Sequence, residues 1–172
     1  MPDRPDVRFG VDATLGCTRS DGWVRIFACI DRCEAWTHVS SSRDCFSARQ
    51  PVYDAVLERF GTLSPNVARG ISVRHKWGSR YRSHYFTGSI RWLGLTDDPA
   101  YAGEPEGNGC IERRMNNLKE PSYGHACTST STISRQAVAG FTELYNSNGS
   151  PAPRPHDTRV GPLAHRQDGI PM

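Results

Sequence analysis

The 172-residue chain contains no apolar run approaching the ~20 residues that a membrane-spanning helix needs. Its first residues, Met1-Pro2-Asp3-Arg4-Pro5, lack the basic, apolar, small-residue order of a secretory signal. Both absences lead to the expectation of a cytoplasmic protein with no membrane partner. The six cysteines are Cys17, Cys29, Cys33, Cys45, Cys110 and Cys127, and no two form a Cys-x-x-Cys pair. That spacing argues against a zinc site, and the six are read as free thiols in a reducing compartment. Lysine is almost missing: Lys76 and Lys119 are two of the 21 basic residues, and the rest are arginines. A strong excess of one charge is missing as well. A net charge of +3 permits contact with nucleic acid without arguing for it. Arginine suits phosphate contact, although the same bias follows from GC-rich coding sequence.

What is present is ordinary for a folded protein. Apolar residues at 37% and a length of 172 suffice for one domain with its own core, without help from disulfides or metal. Phe9, Val11, Ala13 and Leu15 alternate with Gly10, Asp12 and Thr14, so residues 8–15 read as a strand. Arg19-Ser20-Asp21-Gly22 reads as a hairpin turn, Trp23 to Ile30 as a second strand and Ala35 to Ser40 as a third. Val52, Val56 and Phe60 predict a helix over 47–60, stopped by Gly61. Ile71 to His75 is a fourth strand, with Ile71, Val73 and His75 on one face and Arg74 and Lys76 on the other. Tyr81 to Leu93 is a second helix ending at Gly94, and Leu95-Thr96 begins a short fifth strand. A Gly/Pro loop over 99–107 precedes a third helix from about Gly109 to Lys119, capped by Asn108. A fourth helix covers Ile133 to Tyr145. From Ser147 the prolines and glycines break every period, and an irregular, partly disordered tail is expected. The expected organisation is a leader over 1–7, a domain over 8–146 and a tail over 147–172. The element order implies an α/β domain, a mixed five-stranded sheet flanked by helices, as in the ribonuclease-H-like fold.

Two carboxylates stand where chemistry could be built. Asp12 lies mid-strand, and Glu112 lies one turn into the third helix. Hard oxygen ligands at such points suit Mg²⁺. A pair of these ions can activate an attacking oxygen and steady a leaving one on phosphorus.

Three stretches then carry a resemblance. The first is Gly10-Val11-Asp12-Ala13-Thr14, followed by Asp21-Gly22-Trp23 and Ala28-Cys29-Ile30-Asp31. The second is Arg74-His75-Lys76-Trp77-Gly78-Ser79-Arg80-Tyr81. The third runs from Gly103 through Asn108-Gly109-Cys110-Ile111-Glu112-Arg113 to Leu118-Lys119-Glu120. Over residues 8–146 the sequence resembles insertion-sequence transposases whose catalytic domain is similar to retroviral integrase. Those enzymes carry two aspartates and a glutamate, with 35 residues between the last two. Here 35 residues, 77 to 111, separate Lys76 from Glu112.

The resemblance implies that Asp12 and Glu112 are catalytic metal ligands, with Mg²⁺ or Mn²⁺ as cofactor. The second aspartate falls on position 76, where this chain has lysine. A charged ammonium has no lone pair and repels divalent ions, so metal binding is expected to be badly weakened. Arg80 stands where the family commonly has glutamine. With Arg82, Arg113, Arg114 and Lys119 it would line a DNA groove; a merely solvated basic face is an equal alternative. Without the motif, Asp12 reads as a solvated strand residue and Glu112 as a helix-surface residue. Asp31 reads as structural, Glu104 and Glu106 as weak substitutes for the missing ligand, and His75 as a packed, hydrogen-bonded histidine. The chain begins eleven residues before Asp12, where family members carry a helical DNA-recognition segment, so a fragment or degraded copy is expected.

The function implied is DNA transposition and integration by metal-dependent phosphoryl transfer, inactive as written because of Lys76. The implied partners are transposon-end and target DNA and further copies of the chain on DNA. The alternative is a non-catalytic remnant that binds DNA or multimerises.

Overall fold

The computed structural model describes residues 7–31, 34–76, 78–100 and 130–148. In chain order the elements are β1 (Arg8–Thr18), β2 (Gly22–Ile30), β3 (Ala35–Ser40), α1 (Cys45–Phe60), β4 (Ser72–His75), α2 (His84–Trp92), β5 (Thr96–Pro99) and α3 (Ser131–Asn148). The strands form one sheet in the order β3-β2-β1-β4-β5. β1–β2 and β2–β3 are antiparallel, while β1–β4 and β4–β5 are parallel. This is the expected α/β architecture with a mixed five-stranded sheet. The expected third helix, residues 109–119, lies outside the described residues.

Local chemistry explains most boundaries. The β1–β2 turn closes on Thr18, whose hydroxyl donates to the Gly22 carbonyl at 2.8 Å and accepts the Asp21 N–H at 3.1 Å. Helix α1 starts two residues before the apolar spacing suggested, because Asp44 caps it: its carboxylate accepts the Ser47 N–H at 2.8 Å. That bond holds the Asp44 carboxyl below its ordinary pKa. Its stabilisation is therefore full at neutral pH and lost as acid protonates the folded group. Gly61 ends α1 in the left-handed region and donates to the Leu57 carbonyl at 2.8 Å. Helix α2 begins at His84, three residues later than expected. Ser83 is its cap, accepting the Phe86 N–H at 3.1 Å. Tyr81 is instead buried before the helix, stacked on His75 with ring centroids 5.5 Å apart.

Strand alternation divides the core. Phe9, Val11, Phe27, Cys29 and Val73 pack on one face against Val52 and Val56 of α1 and Phe86 and Ile90 of α2. Val24, Ile26 and Val39 meet Val138 of α3 on the other. Each fully buried side chain of this size contributes about 1.5–3 kcal/mol. Leu15, expected inward with Val11, is 47% exposed. It lies toward the turn end of the hairpin, where the opposite face of β1, at Thr14, Gly16 and Thr18, is the buried one. No described helix is long and apolar enough to cross a membrane. The reading of six free thiols is corrected at one position: Cys29 and Cys45 are free, but Cys17 is disulfide-bonded. Its partner lies outside the described residues.

The glycines separate cleanly into required and replaceable. Gly94 has φ of 85°, and a Cβ there would sit 2.8 Å from the Asn66 Cα, a backbone atom. Gly88 lies inside α2 with open space around it. Gly94→Ala should therefore cost more than about 2 kcal/mol, whereas Gly88→Ala should stabilise by roughly 0.5–1 kcal/mol. Urea denaturation of both variants checks the contrast, and equal effects would contradict it.

Candidate functional site

Asp12 sits in the middle of β1, on the face opposite Val11 and Ala13. One carboxylate oxygen accepts the Ala13 N–H at 2.8 Å. The other lies 3.3 Å from Nζ of Lys76. The pair is uneven: the Asp12 side chain is 15% exposed, and the Lys76 side chain is 46% exposed.

The register explains the encounter. β1 and β4 run parallel with Val11 opposite His75, so the next residues, Asp12 and Lys76, are neighbours on the same face where β4 ends. The backbone at position 76 is held on two sides. Its carbonyl accepts the Gly78 N–H at 2.7 Å and a bond from Nδ1 of His75 at 2.9 Å. His75 is itself buried, with Nε2 2.7 Å from the Asp97 carboxylate, as its packed, hydrogen-bonded reading required. Tyr81 closes the other side of that ring. Burial, and then the charge of Asp12, pushes its phenol well above the ordinary tyrosine pKa, with Arg80 opposing.

The remaining expected site residues fall into two groups. Arg80 is half-buried, its guanidinium 5.7 Å from the Phe27 ring centroid, and Arg82 is exposed in the turn before α2. Glu112, Arg113, Arg114, Lys119, Glu104 and Glu106 lie outside the described residues. Asp31 is structural, as expected. It is fully buried, accepts the Glu34 N–H at 2.6 Å, and pairs with Arg59 at 2.6 Å. Arg59 also reaches Glu34 at 3.0 Å. Sequence reasoning passed over Arg25 and Arg43. Strand alternation carried a signal for Arg25, which shares a face with Phe27.

The arrangement fits a divalent ion poorly. Of Asp12's two oxygens, one serves the backbone and the other faces an ammonium, which repels cations. The nearest strand carboxylates are engaged elsewhere. Asp97 holds His75, and Asp98 lies 3.1 Å from Arg74 and 3.4 Å from Arg8. Among the described residues, no group of three or more His, Cys, Asp or Glu could hold a metal ion.

No family model matches the sequence. No curated protein matches it. Solved structures do. The fold is similar to a chain of the simian T-cell lymphotropic virus intasome in complex with PP2A regulatory subunit B56 gamma, with TM-score 0.64 and 14% identity. That match covers 98% of this chain and 60% of the other, so this chain spans well under two thirds of that neighbour's length. The fold is also similar to the catalytic core domain of BIV integrase, with TM-score 0.55 and 14% identity over 83% of this chain and 95% of that one. At this identity the likeness establishes the fold, the ribonuclease-H-like α/β fold of integrase catalytic cores.

The two aspartates should differ sharply on neutralisation. Asp31→Asn leaves buried Arg59 short of charge and should cost about 3 kcal/mol. Asp12→Asn removes only a half-exposed pair and should cost less than about 1 kcal/mol. Equilibrium denaturation at neutral pH reads both, and a larger loss at Asp12 would show that its charge is part of the fold's support.

Proposed function

We propose that this chain is a catalytic domain of the DNA transposase and integrase type, for DNA transposition and integration, disabled at position 76. The observation that carries the reading is the 3.3 Å approach of Lys76 to Asp12. It gives Asp12 a partner where the resemblance calls for a second aspartate, with 35 residues between it and Glu112. The integrase-core fold supports the same reading.

On this reading Asp12 and Glu112 are the surviving acidic residues of a site for Mg²⁺ or Mn²⁺. Lys76 is the degenerate position. Its ammonium neutralises Asp12 without offering a lone pair, so the charge is balanced while the metal chemistry is not supplied. Arg80, Arg82, Arg113, Arg114 and Lys119 contact DNA phosphates, which fix position and carry little sequence information. Transposon ends, target DNA and other copies of the chain are its partners. The Lys76–Asp12 pair also favours the second reading, a non-catalytic remnant that binds DNA or multimerises with intact copies.

The test is Mn²⁺-dependent nicking and joining of short DNA duplexes. The parent should be silent, Lys76→Asp should act, and Lys76→Asp/Glu112→Gln should be silent again. Nicking by the parent that Glu112→Gln abolishes would overturn the disabled state. Full activity in the double variant would overturn the site assignment.

A further inference from the structure

A second charged surface lies on the sheet face opposite Asp12. Arg25 projects from β2 on the same side as Phe27 and Cys29, toward α1 and α2. Ser40 is its cross-strand neighbour on β3, and Arg43 follows in the turn into α1. Arg80 reaches the same place from the β4–α2 turn and lies over Phe27. Three guanidinium groups from three segments thus converge around one half-buried position. Burial, then the charges of Arg80 and Arg43, lower the Arg25 guanidinium from its ordinary pKa.

Among the described residues no carboxylate balances them, although Arg80 lies over the Phe27 and Tyr81 rings. Nε of Arg25 is buried with no hydrogen-bond partner among the described residues. None of the three has a carboxylate within salt-bridge distance there, although Arg8, Arg59, Arg74 and Arg91 each have one. Asp44, the acidic residue next to Arg43, is engaged in capping α1. Three like charges held together oppose folding, and an anion that joins them offsets this. One feature names the anion's class. Trp23 lies two residues before Arg25 on the same face of β2 and is 63% exposed. An exposed indole beside a cationic cluster is the pairing that holds a single strand, with a base stacked and phosphates neutralised.

We propose that Arg25, Arg43 and Arg80, with Trp23, form a binding site for the phosphates and one base of a single nucleic-acid strand. Arg80 is shared with the DNA contacts proposed above. The other three residues are not, and the site needs neither Asp12 nor a metal.

The experiment is fluorescence anisotropy of a labelled oligothymidylate with the full chain, in EDTA, across a salt series. EDTA removes cleavage, so failure here is distinct from failure of the catalytic reading. The parent should bind. Arg25→Gln/Arg43→Gln should weaken binding about tenfold and flatten the slope of log K against log salt by about 1.4, at about 0.7 per contact. Trp23→Ala should weaken it about fivefold or more with the slope unchanged. Arg69→Gln, which removes an exposed charge elsewhere, should change affinity less than about twofold. Circular dichroism should show all variants folded. If Arg25→Gln unfolds the chain, Arg43→Gln alone, at an exposed position, should still flatten the slope by about 0.7. No binding by the parent, or an equal loss in Arg69→Gln, overturns the proposal. Equal displacement of the strand from parent and Trp23→Ala by inorganic tripolyphosphate overturns the base-stacking part and leaves a bare phosphate site.

Discussion

The parallel pairing of β1 with β4 is the constraint on which the site depends. It brings together residues more than sixty positions apart, setting Val11 beside His75 and therefore Asp12 beside Lys76. The pairing is fixed by burial. Val11, Val73 and His75 occupy the face covered by α1 and α2, and a slip of β4 by one residue would turn Val73 and His75 toward the other face. Below the strand, His75 ties the end of β4 to β5 through Asp97 and to its own backbone through the Lys76 carbonyl. The backbone of position 76 is therefore a well-held point at the end of an interior strand.

Two ion pairs at the sheet show how burial decides what a charge does. Asp31 and Arg59 are almost wholly removed from water and also bond to Glu34 and its backbone. Breaking such a pair strands a charge in a poor solvent. Asp12 and Lys76 are separated by a similar distance, but the lysine side chain keeps nearly half its exposure. Water screens that pair and hydrates either partner if the other leaves. The first pair therefore serves the fold, joining α1 to the end of β2. The second is nearly neutral for folding, which leaves position 76 open to change without loss of structure.

Much of this was legible in the sequence, and the misses have physical causes. Apolar pattern and turn residues located all eight described elements, even β2, which is buried on both faces. Helix starts were read late or early where capping residues, Asp44 and Ser83, set the boundary and the apolar spacing did not. Leu15 obeys the alternation of β1 yet is exposed, because a period says which way a side chain points and not whether anything lies there. Asp12 and Lys76 were placed together by motif and spacing, and the register explains their meeting. Arg25 and Arg43 escaped notice, and Arg80 was not joined to them, because the three come from β2 and two different turns. Only the fold brings them together.

A lysine at position 76 also has a folding logic. A half-buried carboxylate such as Asp12 needs a positive partner or a proton. Divalent ions would supply the first, but only if enough further carboxylates surround them, and those carboxylates repel one another when the ions leave. Lys76 supplies positive charge from within the chain and keeps its own hydration. At a few ångströms, two unit charges in a surface-like dielectric attract by about 4 kcal/mol before hydration is counted, and the exposed geometry reduces that to about 1 kcal/mol or less. The remainder is small, but it has the sign that favours a folded, metal-free chain. A cation at this one position thus serves the folded state by answering the charge of Asp12.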